Sequence, residues 1–231
     1  LADAAAEDLD GLIRRVDPDR WLTSRFVADA AARGDVVALY AYDHELARAR
    51  RAASTPLLAE IRLTWWREAL DEVFAGGPVR RHPVAEALAA AVRRHALPRA
   101  PLEAMIDGQL EALEAPAMDE AAAVAWADAV QGSVAGLAAR VLDRNTHPAS
   151  LADAGRAWGL ARLIRAGGAP RDIAAPSLRA ALDAARAGRF NVAALPAALP
   201  ARLARFDLAG RTPGPLAKQL SLVVAAATGR V

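Results

Sequence analysis

No stretch of this chain alternates apolar and polar residues over the length of a β-strand, and Ala, Leu, Arg and Glu dominate throughout. That pattern confines it to a helical fold. The clearest single case is Val130, Val134, Leu137 and Val141, spaced i, i+4, i+7 and i+11. It predicts one buried stripe on a helix from Asp119 to Leu142. Hydrophobic residues make up 54% of 231 positions, enough for a sizeable core. Much of that fraction is Ala, so the helices are expected to approach closely. Gly132 and Gly136 fit the same expectation. Without a membrane span, core packing explains them better than a membrane helix pair does.

Other elements are marked by their ends. A short helix is expected over about Ala5 to Arg15. Asp17-Pro18 is an N-cap followed by Pro at the first helical position, opening a helix to Arg33 with Gly34 as its stop. Asp35 then caps a central helix to Arg51. Ser54-Thr55-Pro56 opens the next, ending at Gly76-Gly77. His82-Pro83 opens one to about His95, Pro101 to Leu113 forms another, and His147-Pro148 opens one to about Ala166. From about residue 167 the five prolines beyond Pro170 suggest shorter, less regular helices. No linker divides the chain, so residues 1–231 read as one all-α domain.

Composition narrows the function classes. Twenty-nine Lys plus Arg against 27 Asp plus Glu leaves net +2, without the clustered basic excess of a nucleic-acid binder. The absence of cysteine excludes disulfides, thiolate metal sites and a Cys nucleophile. No apolar run reaches the length of a membrane span, and no signal peptide is recognisable from Leu1. Glu-x-x-His, a Gly-rich phosphate loop and Gly-x-Ser-x-Gly are all missing. His44 is the one histidine expected in mid-helix. On the central helix it shares a face with Ala47, Arg48 and Arg51. Two acidic sets have the spacing to hold Mg²⁺ on consecutive helical turns: Glu68/Asp71/Glu72 and Glu103/Asp107/Glu111. Salt-bridged, solvated faces are the plainer reading of both.

Several stretches together resemble the squalene/phytoene synthase family. They are Trp21 with Phe26, Ala38-Leu39-Tyr40-Ala41-Tyr42, and Trp65-Trp66-Arg67-Glu68-Ala69-Leu70. Ile106-Asp107-Gly108, Trp126 to Leu137 with Gly132, Gly159-Leu160-Ala161-Arg162-Leu163-Ile164-Arg165, Pro215 to Leu220 and Gly229-Arg230 follow. The resemblance implies an all-α isoprenoid-synthase (terpenoid-synthase) fold around a central cavity. It also implies head-to-head condensation of prenyl diphosphates with Mg²⁺ in active members.

The departures bear on activity. In that family Tyr-Ala-Phe is followed by Asp-Asp-x-x-Asp, and the three acidic positions fall here on Ala47, Arg48 and Arg51. A second motif ends Leu-Arg-Asp-Val, with an acid four residues on. Here Ile164-Arg165 is followed by Ala166, and residue 170 is Pro. A diphosphate leaving group carries about three negative charges that metal held by both clusters normally offsets. The pattern resembles a divergent branch that includes a mitochondrial respiratory complex I assembly factor with a phytoene-synthase-like domain. The implied function is non-catalytic, in assembly or lipid binding, without a required cofactor. The implied partners are a respiratory-complex or other membrane-associated protein, and an isoprenoid or phospholipid ligand. The implied location is cytoplasmic or peripheral at the inner membrane. Tyr40, His44, Arg48, Arg51, Arg162 and Arg165 are the substrate- or anion-binding candidates, because guanidinium forks suit phosphate oxygens. Pairing of Arg48 with Glu45 is the competing explanation. The alternative function is a working prenyltransferase whose Mg²⁺ is held by relocated acids, Glu68/Glu72 or Asp107/Glu111.

Overall fold

The computed structural model describes residues 2–114 and 117–231. The first six helices are α1 (Ala2–Val16), α2 (Pro18–Ser24), α3 (Ala30–Arg51), α4 (Pro56–Ala75), α5 (Pro83–His95) and α6 (Arg99–Glu114). Next, α7 (Glu120–Trp126) passes through a π segment, Ala127–Gly132, into α8 (Ser133–Leu142). A 3₁₀ turn at Pro148–Leu151 precedes α9 (Ala152–Ala166), α10 (Arg171–Ala187), α11 (Leu195–Leu208) and α12 (Pro215–Thr228). The described residues contain no strand.

Local chemistry sets most of the starts. Asp17 accepts the backbone N–H of Arg20 at 3.1 Å, with Pro18 at the first helical position. Thr55 accepts from Leu58 N–H ahead of Pro56, and the His82 ring nitrogen accepts from Val84 N–H ahead of Pro83. Gly76 ends α4 in the left-handed region at φ 75°, as its place after the helix predicts.

Three elements differ from the sequence reading. The helix opened at Pro18 stops at Ser24 rather than Arg33. Asp29, not Asp35, caps α3, accepting from Ala32 N–H at 2.7 Å. Gly34 therefore lies inside α3, with open space where a Cβ would sit. Asp35 is buried and binds Arg94 and His95 of α5. The expected single helix from Asp119 to Leu142 contains the π segment, although Val130, Val134, Leu137 and Val141 are all buried as the stripe requires. The C-terminal part is more regular than its prolines suggest. Pro176 lies within the 17-residue α10 and Pro200 within the 14-residue α11.

Two helices organise the packing. Most residues of α3 from Asp35 to Ala49 are buried, because α1, α2, α4, α5, α6 and α8 surround it. The other organiser is α9, which packs on α7, the π segment, α8, α10 and α11. Its contact with the π segment runs backbone to backbone. A Cβ on Gly155 would lie 2.6 Å from Gly132 Cα, and one on Gly159 would lie 2.7 Å from Ala127 Cβ. The close approach expected of Gly132 is real, and its partner is Gly155.

Candidate functional site

Where α2, α3, the π segment and α9 meet, the core holds charge. Arg20 of α2 is 1% exposed. Such a cation is tolerated only when fully paired. Its Nε donates to Asp17 at 2.7 Å and its Nη2 to Asp43 of α3 at 2.6 Å. Its Nη1 reaches Gln131 Oε1 at 3.3 Å, and the guanidinium lies over the Tyr40 ring, 4.7 Å from the centroid. Gln131 donates in turn to the other Asp43 oxygen at 3.0 Å. It stands in the π segment, where the helical register shifts, next to the glycine that Gly155 approaches. From α9, Arg162 donates to Asp17 at 2.7 Å and lies 3.6 Å from Asp43.

The charge states follow from this arrangement. Burial alone would raise the Asp17 carboxyl, but Arg20 and Arg162 outweigh it and hold the group at about 2. Asp43 is lowered by the same two guanidiniums against its own desolvation. Burial pushes the Tyr40 phenol up to about 12, so it stays neutral. Desolvation and the like charge of Arg20 draw Arg162 below its ordinary value. Two arginines and two aspartates thus form a locally neutral cluster.

A second set continues outward. Asp19 accepts from Lys218 of α12, the chain's one lysine, at 2.6 Å and from Arg165 at 3.3 Å. Arg165 also pairs with Asp207 of α11 at 3.0 Å, with its guanidinium over Trp158.

The six candidate residues are distributed over different surroundings. Tyr40 is buried under Arg20. Arg162 and Arg165 engage the carboxylates of α2. Arg48 is exposed and forks onto Glu45 through Nε and Nη2. Arg51 is exposed and His44 half-buried. Burial, with Arg51 and Arg48 nearby, keeps His44 below its usual range. Ala47, on the same face, is buried. The contacts therefore do not join Arg48 and Arg51 to Arg162 and Arg165 as a common anion clamp. Arg48 instead edges a surface groove of about 460 Å³ walled by Ile61, Trp65, Trp66 and His82.

Five of the six acids with metal-binding spacing are engaged by arginine, and the sixth, Glu111, is exposed. Arg80 holds Glu72 and Glu68, Arg67 holds Asp107, and Arg99 bridges Asp71 and Glu103. The side chains of Glu68 and Asp107 are half or more exposed. Among the described residues, no three His, Asp or Glu side chains converge as a cation site.

Sequence reasoning passed over Arg20 and Gln131, and set Asp43 aside because its i+4 neighbour is Ala47. Asp17 was legible only as a helix cap, and the available hint was an Arg three residues beyond that cap, on a short helix rich in polar residues.

Fold and site together define an all-α bundle of the isoprenoid-synthase type, with a buried ion network where α2, α3, the π segment and α9 meet. Residues 13–175 match squalene/phytoene synthase, and the chain belongs to that family. The fold matches a crystal structure of a dehydrosqualene synthase in complex with ligand, with a TM-score of 0.78 over 98% of this chain and 96% of that one. At 14% identity this match speaks to fold alone. Similar proteins include the NADH dehydrogenase (ubiquinone) complex I, assembly factor 6, of Bos taurus, 32% identical over 96 residues, 42% of this chain and 28% of that protein. The Homo sapiens protein of the same name is 30% identical over the same shares. That of Rattus norvegicus is 29% identical over 158 residues, 67% of this chain and 47% of its own length. The matched stretch thus spans less than half of each of these relatives.

Proposed function

We propose that this chain is a squalene/phytoene-synthase-like protein that no longer ionises prenyl diphosphates and acts in the assembly of a respiratory complex. The observation that carries this reading is the state of the central carboxylates. Asp17, which caps α2, and Asp43 of α3 are both buried and are paired with Arg20 and Arg162. Binding Mg²⁺ would require breaking those pairs and leaving two guanidiniums buried without partners. The positions that the family resemblance assigns to metal-binding aspartates are Ala47, Arg48 and Arg51, and a cationic side chain there repels a metal. Of the acids that could have replaced them, Glu68, Glu72 and Asp107 are paired with arginine on α4 and α6, and Glu111 is exposed. The names of the similar proteins supply the biological direction, towards complex I assembly.

Incubation with labelled farnesyl or geranylgeranyl diphosphate and Mg²⁺ is expected to give no condensed product. Clear turnover would overturn the reading. Affinity purification of the tagged chain from its own cells is expected to co-enrich complex I subunits or their assembly intermediates.

A ligand-binding role is favoured by the groove between α3 and α4, where Trp65, Trp66 and Ile61 offer an apolar wall and Arg62 a cation beside the Arg48–Glu45 pair. An isoprenoid phosphate suits that combination. Thermal stabilisation by a prenyl phosphate without metal, lost in Arg48→Ala, is the expected signature.

A further inference from the structure

The outermost helix, α12, is apolar on the side that faces away from the protein. Its buried face is made by Leu222 and Ala225, and its one charged residue, Lys218, is turned inward onto Asp19. Leu216, Leu220 and Val223, at i, i+4 and i+7, lie on the opposite face and are 74%, 67% and 54% exposed. Val224, also half exposed, lies beside them. A surface helix normally puts charge there, and four adjoining large aliphatic side chains in water mark a contact surface.

The border of this stripe is cationic. Val224 and Thr228 share a groove with Arg186, Arg202 and Arg230. Arg202 is fixed beside α12 by donating from Nε to Ser221 at 2.9 Å. The adjoining groove adds Arg179 and Arg205, with Asp183 as its one acid. None of these arginines forms an ion pair among the described residues, whereas those around α2 and α9 are paired repeatedly. Burial together with the like charges of Arg205 and Arg186 lowers Arg202. This region is therefore a concentration of unneutralised positive charge, in a chain whose total is only +2.

We infer that the α12 face is a docking surface for an anionic lipid bilayer, with Leu216, Leu220 and Val223 entering the interface and the Arg186, Arg202 and Arg230 cluster binding headgroup phosphates. An interfacial helix needs an apolar face at one level and guanidiniums at its rim; α12 supplies the first, and Arg186 of α10, Arg202 of α11 and Arg230 supply the second. The apolar surface is the outward ridge of a single helix. Such a convex ridge suits a fluid interface better than the groove-seeking face of a protein partner. A second copy of this chain docked on a two-fold axis would bring one arginine cluster towards the other. The apolar area is modest, so retention requires anionic lipid and weakens with salt. This surface is separate from the α3–α4 groove and stands whether or not the assembly reading holds.

The test is co-sedimentation of the intact chain with phosphatidylcholine vesicles and with vesicles of equal parts phosphatidylcholine and phosphatidylglycerol. Binding is expected only to the second and is expected to fall as salt rises. Leu220→Glu with Val223→Glu is expected to reduce partitioning by more than about tenfold, since both sites are exposed and lose insertion without loss of fold. Arg186→Glu and Arg230→Glu are each expected to cost at least about fivefold. Leu57→Glu, at an equally exposed apolar site on α4, is the control and is expected to change nothing. Circular dichroism establishes that every variant is folded. No binding to anionic vesicles overturns the inference. So does binding that survives the α12 substitutions, or concentration-dependent dimerisation through this face without vesicle binding.

Discussion

Arg20 shows why one charged residue can matter more than several apolar ones. Its guanidinium is enclosed by Asp17, Asp43, Gln131 and the Tyr40 ring, and each partner would be costly to leave alone. Arg20→Met is expected to destabilise the protein by about 3–5 kcal/mol, because two buried carboxylates lose one of their two counter-charges. Urea unfolding at neutral pH measures it. Arg20→Lys is expected to recover little, since an ammonium cannot reach three partners in a planar fork. Acid should act through the same residues. Asp17 has a folded pKa of about 2, below its unfolded 3.8, so its contribution is complete above about pH 4. It is lost as the pH falls from there towards 2, and amounts to about 2 kcal/mol. Unfolding free energy followed through that window should drop for the native sequence. In Asp17→Asn, already weakened at neutral pH, the drop should be smaller.

At the scale of elements, paired glycine substitutions separate packing from propensity. Gly155→Ala would place a methyl 2.6 Å from Gly132 Cα, against backbone that cannot rotate away. A loss of about 1–3 kcal/mol is expected, with α9 displaced from the π segment and the Gln131–Asp43 bond weakened. Gly34→Ala, in the interior of α3 with open space around it, is expected to raise stability by about 0.4–1 kcal/mol. Thermal melts of the two variants should move in opposite directions. The same pair marks what could be read from the chain. The Asp-Pro, Thr-Pro and His-Pro starts were legible, because a cap and a fixed φ act within three residues. Gly34 was misread as a stop, because in sequence a glycine inside a buried helix looks like one after its end. The π segment left no legible trace. Its register depends on α9, which packs on it from more than 20 positions downstream.

For the whole molecule, the family and the all-α fold were legible because aromatic and small-residue motifs recur in order along most of the chain. The ion network was not, since its members come from α2, α3, the π segment and α9, and geometry alone brings them together. This dispersion makes a prediction about activity. Placing acids at the three positions that the family resemblance aligns with its first motif, Ala47→Asp with Arg48→Asp and Arg51→Asp, is expected to yield no turnover of prenyl diphosphate in a product assay, because Arg20 and Arg162 would still hold Asp17 and Asp43. The spacing of the contacts also bears on synthesis. Arg20 meets Gln131 across 111 residues, Asp17 meets Arg162 across 145, and Asp19 meets Lys218 across 199. A ribosome adding about 5–20 residues per second therefore exposes the carboxylates of α2 for many seconds before their last partner emerges. During that interval the N-terminal helices hold acids without their counter-charges, and the nascent chain is most open to a chaperone or to a wrong cation.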